Sequence, residues 1–166
     1  FDGRKIFKIP RYQRAYAWEM QQLREFLEDI QNQELDRDYF FGTILFQQGE
    51  TIGHFELIDV VDGQQRITTV VIFMKILLDI LEENGFEVDI LRETYIQYRK
   101  QYKLKVLPSD DDFFRSYILE DNKAPEVLIR TPSQKRLLRA KNYFTEKLND
   151  YPVEILQEFK DKIERT

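Results

Sequence analysis

The chain has no cysteine and a single histidine among its 166 residues. Without thiols there is no disulfide framework, no zinc-finger ligand set and no cysteine nucleophile. One imidazole is too few for a His-rich metal centre or an HNH-type nuclease site. Long apolar runs are missing as well: no stretch approaches the roughly 20 residues of a membrane span, and no secretory signal pattern is visible. These absences fit a cytoplasmic protein with no membrane partner. A basic excess is also lacking, with 25 Lys and Arg against 30 Asp and Glu and a net charge of −5. That balance argues against non-specific coating of DNA but leaves room for a local anion site. What is present is core material: 42% hydrophobic and 14% aromatic residues, too much for a disordered chain. A chain of this length is expected to form one compact domain with a small appendage and to bury roughly two-thirds of its unfolded surface. It opens on Phe1 and closes on Arg165-Thr166 directly from a charged, helical run, so both ends are expected to be cuts in a longer protein.

The charge is patterned locally. Arg4, Lys5, Lys8, Arg11 and Arg14 form one basic group, and residues 92–105 and 130–147 form two more. Acids collect at residues 82–89, 110–112 and 120–121. Solvated faces and a phosphate-bearing partner both account for such runs. Hydrophobic periodicity predicts an α+β fold, a small mixed core over residues 1–86 followed by a helical subdomain over 87–166. Strands are expected at Lys5–Ile9, Phe40–Phe46 and Phe55–Val61, with the hairpin turn at Gln47-Gln48-Gly49-Glu50. Helices are expected over Trp18–Leu35 and Gln64–Glu83, the second apolar on most sides and ending at Asn84-Gly85. In the second half, Tyr95, Tyr98 and Tyr102 suggest a helical stripe within Glu87–Lys105. A further helix covers Asp110–Leu119 with its acids at the favourable end. Thr131-Pro132-Ser133-Gln134 has the form of a capping box, and Pro152 starts a last helix.

Two segments carry chemistry. Asp62-Gly63-Gln64-Gln65-Arg66 joins a strand to the long helix. One reading is local: Asp62 caps the helix and Gln65 closes a capping box. The other is functional: a Gly turn at a helix start offers free N–H groups to a phosphate, and Arg66 adds a bidentate grip. The second segment, Ile9 to Glu19, passes Pro10 into a loop bearing Arg11, Tyr12, Gln13, Arg14, Tyr16 and Trp18. Its arginines suit phosphates and its rings suit a base, although core packing is the first reading of Tyr16 and Trp18. Arg14 converges with Arg66 if the two segments lie side by side.

Ile9-Pro10-Arg11-Tyr12-Gln13-Arg14 with Tyr16 and Trp18-Glu19, Phe41-Gly42, and Asp62-Gly63-Gln64-Gln65-Arg66 with Thr68-Thr69 together resemble a bacterial family. It is the N-terminal domain of GmrSD-type modification-dependent restriction enzymes and related phage-defence proteins. Leu107-Pro108, Phe113-Phe114, Arg136-Leu137, Ala140 and Tyr143-Phe144 resemble its helical portion. The resemblance implies a core similar to ParB and sulfiredoxin, with Gly63-Gln64-Gln65-Arg66 as the phosphate turn. It further implies binding and hydrolysis of a nucleoside triphosphate of unspecified base. The implied catalytic residues are Asp62, Gln64, Gln65 and Arg66, with Gly63, Arg66, Arg14, Gln13, Tyr12 and Thr68 contacting nucleotide. Magnesium is the expected cofactor, with Asp62 as its ligand and Asp59 or Glu19 behind it. Expected partners are modified DNA, an HNH-type nuclease domain beyond this chain or on a partner, and a further copy of the chain. Arg11, Lys135, Arg136, Arg139 and Lys141 are the candidate DNA contacts. The alternative is a module that senses nucleotide or the DNA backbone without hydrolysis.

Overall fold

The computed structural model describes residues 1, 3–34 and 42–165. Its sheet is built around β1 (Lys5–Lys8), whose Ile6 and Phe7 are buried. Strand β1 lies parallel to β3 (Phe55–Asp62), with Ile6 beside Leu57 and Phe7 beside Ile58. On its other side it runs parallel to β6 (Leu104–Lys105), with Phe7 beside Leu104. Strand β2 (Leu45–Ile52) forms an antiparallel hairpin with β3, giving the order β2-β3-β1-β6. The fold is α+β, as the sequence predicts.

Helix α1 (Met20–Asn32) buries Leu23, Phe26, Leu27 and Ile30, the stripe expected from their spacing. Helix α2 (Gln64–Glu83) is buried on nearly every side from Ile67 to Leu81, which is why its sequence shows little amphipathic contrast. Phe73 sits at its centre, with ring centroids 5.5 Å from Phe26 of α1 and 5.3 Å from Phe144 of α5 (Pro132–Asn149). The ring of Phe159, from α6 (Val153–Glu164), lies 6.5 Å from Phe73. Residues on both sides of position 86 therefore meet in one aromatic core. Helix α5 begins as expected: the Thr131 hydroxyl accepts from the Gln134 N–H, and the Gln134 side chain accepts from the Thr131 N–H, both at 3.2 Å.

Four local expectations are corrected. The expected helix over Glu87–Lys105 stops early: α3 spans only Asp89–Tyr95, and β4 (Gln97–Tyr98) and β5 (Gln101–Tyr102) then form a small hairpin. Arg99 and Lys100 both have positive φ, 46° and 66°, the backbone of a tight primed turn. The tyrosines are spent separately, Tyr95 against Phe1, Tyr98 against Phe55, and Tyr102 donating to Glu120 at 2.7 Å. The expected turn at 47–50 is an irregularity inside β2, where register shifts between Gln48 and Thr51. A Cβ on Gly49 would lie 2.8 Å from the Leu57 carbonyl oxygen. The chain reverses instead at Gly53-His54, with Gly53 at φ +61°. The expected strand Phe40–Phe46 starts at Leu45; its first residues, Phe40 and Phe41, lie outside the described residues, as does Leu35. The predicted helix from Asp110 starts at Pro108: α4 (Pro108–Phe113) runs directly into a π-helical stretch, Phe114–Leu119.

Candidate functional site

The β3–α2 junction turns on Gly63, whose φ of +86° disfavours any residue with a side chain. A Cβ there would also crowd Ile44, at 3.0 Å. Gly63 is the N-cap of α2 and has no side chain to occupy the first-turn N–H groups. The expected capping box is therefore absent. Asp62, exposed, accepts the Gly63 N–H at 2.8 Å. Gln65 is turned elsewhere. Its amide donates to the Ala15 carbonyl at 3.0 Å and accepts from the Ala17 N–H at 2.7 Å.

That clamp brings the two sequence motifs together. Gln13 donates to the Val61 carbonyl at 2.6 Å, at the end of β3. Thr69 donates its hydroxyl to the Gln65 carbonyl at 2.8 Å, so the Tyr16 hydroxyl, 2.9 Å away, donates to Thr69. Burial pushes the Tyr16 phenol well above its ordinary value, and its bond to Thr69 offsets only part of this. Thr68 is bonded to the Gln64 carbonyl one turn back. The loop from Pro10 to Ala17 is thus stapled to the start of α2 by side chains from both segments.

The stapled loop closes one side of a narrow cleft. Arg14, Gln64, Gln65 and Thr68 line its polar wall; Ile9, Val106 and Leu137 are among its apolar residues. Arg66 is not among the lining residues. Its Nη1 donates to the Thr43 carbonyl at 3.5 Å, and its guanidinium covers Gly42 so closely that a Cβ there would lie 2.5 Å away. Gly42 also has a φ of +97°, so the Gly of the Phe41-Gly42 pair is explained; Phe41 lies outside the described residues. Tyr12 is 71% exposed.

The basic residues proposed for DNA divide. Glu19 holds both Arg136, at 2.5 Å, and Arg139. The bond from Arg136, helped by Arg139, keeps the Glu19 carboxyl below the usual carboxylate range. Lys141 donates to the Tyr117 carbonyl and pairs with Asp121, both at 2.7 Å. Arg11 and Lys135 are exposed. Asp59, proposed as a reserve metal ligand, faces Lys8 at 3.3 Å. Among the described residues no group of three His, Cys, Asp or Glu side chains forms a metal cage. A cation here would need ligand oxygens from a bound molecule.

One residue of the cleft was missed by sequence reasoning. Asp110 lines it and is 3% exposed, and among the described residues its buried Oδ1 has no hydrogen-bond partner. Its spacing of three and four from Phe113 and Phe114, both buried, places it on the inward stripe of α4. That signal was available, but the run of three acids disguised it as a solvated helix start.

No curated protein matches the chain. Residues 1–165 match the family described as the GmrSD restriction endonuclease, N-terminal domain, and the chain belongs to it.

Proposed function

We propose that this chain binds and hydrolyses a nucleoside triphosphate and thereby regulates a nuclease domain carried elsewhere in a bacterial modification-dependent restriction or phage-defence protein. The observation that supports it most is the stapled junction: Arg14 shares a cleft with Gln64 and Thr68 at the start of a 20-residue helix whose N-cap is a glycine. Uncapped N–H groups and the positive end of the helix dipole favour phosphate oxygens. Arg14 adds charge inside the cleft, and Arg66 stands beside the turn, over Gly42. Phosphoryl transfer needs positioning and charge stabilisation more than a strong base. Gln65 is committed at both ends of its amide, so positioning of the attacking water falls to Gln64. Two carboxylates flank the site, Asp62 at the exposed junction and Asp110 in the cleft. Magnesium, when bound, would neutralise charge on the transferring phosphate.

The chain itself has one histidine, His54, exposed in the β2–β3 turn, so cleavage of DNA falls to another domain. Ion pairing of Arg136, Arg139 and Lys141 within the fold favours nucleotide over a DNA-backbone reader. Phosphate release from each of the four common ribonucleoside triphosphates, with magnesium, tests the reading. Steady turnover that is lost in Arg66→Ala and in Arg14→Ala, with circular dichroism unchanged, is expected. Saturable binding without turnover would instead make the chain a sensor. Wild-type rates in both variants would refute the site.

A further inference from the structure

We propose that the cavity beside the phosphate cleft, at the ends of β1 and β6, is a nucleoside subsite that selects guanine. Asp111 accepts N–H donors from the base there, and Lys105 donates to the base carbonyl. Topology is the first reason. Strands β3, β1 and β6 are parallel neighbours, so their carboxyl ends open on one edge of the sheet. Open sheets with parallel strands bind their ligands along that edge. On it β3 leads into the Gly63 turn, β1 into the Pro10 loop and β6 into Pro108. Adjacent strands lie about 4.8 Å apart, so a ligand with phosphates at the β3 end reaches the β1 and β6 ends within roughly 5–10 Å. That is the span from the phosphates of a nucleotide to its base. A cavity of ≈ 540 Å³ lies at those ends, and Ile9 and Val106 line both it and the phosphate cleft. Its volume is that of a small-molecule site.

The lining is the second reason. Pro10 and Pro108 offer apolar faces, and Arg11 adds an exposed guanidinium able to stack on a base. Two other charges of the lining are committed, Lys8 to Asp59 at 3.3 Å and Asp112 to Arg115 at 3.0 Å. Lys105 and Asp111 are left. Among the described residues Lys105 has no ion pair, and Asp111 uses only Oδ1, on the Val106 N–H at 3.0 Å. Burial holds the Asp111 carboxyl above its ordinary value, and the Val106 N–H with the charges of Lys105 and Arg115 offsets only part of this. Further N–H donors would therefore stabilise its ionised form. A cation beside a carboxylate complements guanine, whose O6 acceptor adjoins its N1–H and N2–H donors. Adenine and cytosine present the opposite order, an amino donor next to a ring acceptor. Uracil matches at O4 and N3–H but turns its O2 oxygen on the carboxylate where guanine has an amino group. The base assignment rests on the phosphate-cleft reading, which places the nucleoside, whereas the subsite itself can be tested without phosphate.

Calorimetry with imido analogues of the triphosphates, which bind without turnover, reads the preference. The guanine analogue should bind about tenfold or more tighter than those of adenine, cytosine and uracil, as a bidentate contact discriminates. The inosine analogue, which lacks only the 2-amino group, should bind several-fold more weakly than the guanine one, a readout that needs no variant. Asp111→Asn keeps an oxygen for the Val106 N–H but turns an amide donor to the base. Guanine affinity should then fall by about tenfold. Affinity for the xanthine analogue, with an oxygen in place of the amino group, should rise, a gain that a merely structural Asp111 would not produce. Equal affinity for the bases, no loss with inosine, or an unchanged preference in Asp111→Asn would overturn the assignment. Inorganic triphosphate, which has no base, separates the two readings. Its binding, with no preference among the bases, refutes this inference alone. Its failure to bind, while guanosine still shifts the Val106 methyl resonances in an Asp111-dependent way, refutes the phosphate cleft and leaves the nucleoside subsite standing.

Discussion

Replacing Gln65 by alanine separates a staple from a chemical group. The side chain makes two bonds to the loop backbone, to the Ala15 carbonyl at 3.0 Å and from the Ala17 N–H at 2.7 Å. Each such bond contributes about 0.5–1.5 kcal/mol net, and the half-buried loop lets water recover part of the loss, so we expect about 2 kcal/mol of destabilisation. In a chain of this size that lowers the unfolding midpoint by about 4–8 °C. Hydrogen exchange at the Ala17 amide should accelerate more than exchange in the centre of α2, because the loop opens while the core stays closed. Triphosphate affinity should fall with it, since Arg14 rides on the same loop. Gln64→Ala is the control: it should stay within about 0.5 kcal/mol of wild type while losing turnover. Wild-type midpoint and wild-type Ala17 protection in Gln65→Ala would refute the staple.

Three further outcomes follow from the packing and the ion pairs. Phe73→Ala should cost about 3–5 kcal/mol in urea unfolding, because its ring meets Phe26, Phe144 and Phe159 together. Gly42→Ala should cost about 1–2 kcal/mol for its positive φ alone, and should also displace the Arg66 guanidinium, so that triphosphate affinity falls even at temperatures where the chain is fully folded. Glu19→Gln should lower the unfolding midpoint at neutral pH by freeing Arg136 and Arg139. The folded carboxyl is held below its ordinary value, so its contribution is present above about pH 4.3 and is lost as pH falls through the folded value. The gap between wild type and Glu19→Gln should therefore close in acid; a constant gap from pH 7 to 3 would show that Glu19 acts by packing.

Elements whose pattern is set by burial against one neighbour were legible beforehand. The α1 stripe, the apolar α2 and the Thr131 capping box all follow from local periodicity and cap chemistry. The strand–glycine–helix junction was legible because a Gly at a strand end followed by a long helix has few other uses. What was illegible depended on contacts across the chain. Asp62 and Gln65 have the residue types of a capping box, yet Gln65 is claimed by backbone groups 48 and 50 residues away. The tyrosines at 95, 98 and 102 mimic a helix because spacings of three and four suit either state; Arg99 and Lys100, neither of them a customary turn residue, hide the reversal. Asp110 was concealed by company, one inward acid beside two that serve a turn and an ion pair.

Strand β1 has a partner on each side, β3 about fifty residues downstream and β6 nearly a hundred. Until Leu104 and Lys105 have left the ribosome, β1 keeps an open edge with unpaired amides, and Phe73 waits for Phe144 and Phe159. Such non-local closure slows folding and exposes an edge that other strands can join. A nascent or proteolysed fragment ending near Phe86 would hold both motifs and still lack the strand and the aromatic half of the core. The proposed phosphate binding should therefore arrive late in synthesis, in one step, and protease cuts between α2 and β6 should abolish it even when every residue of the two motifs survives.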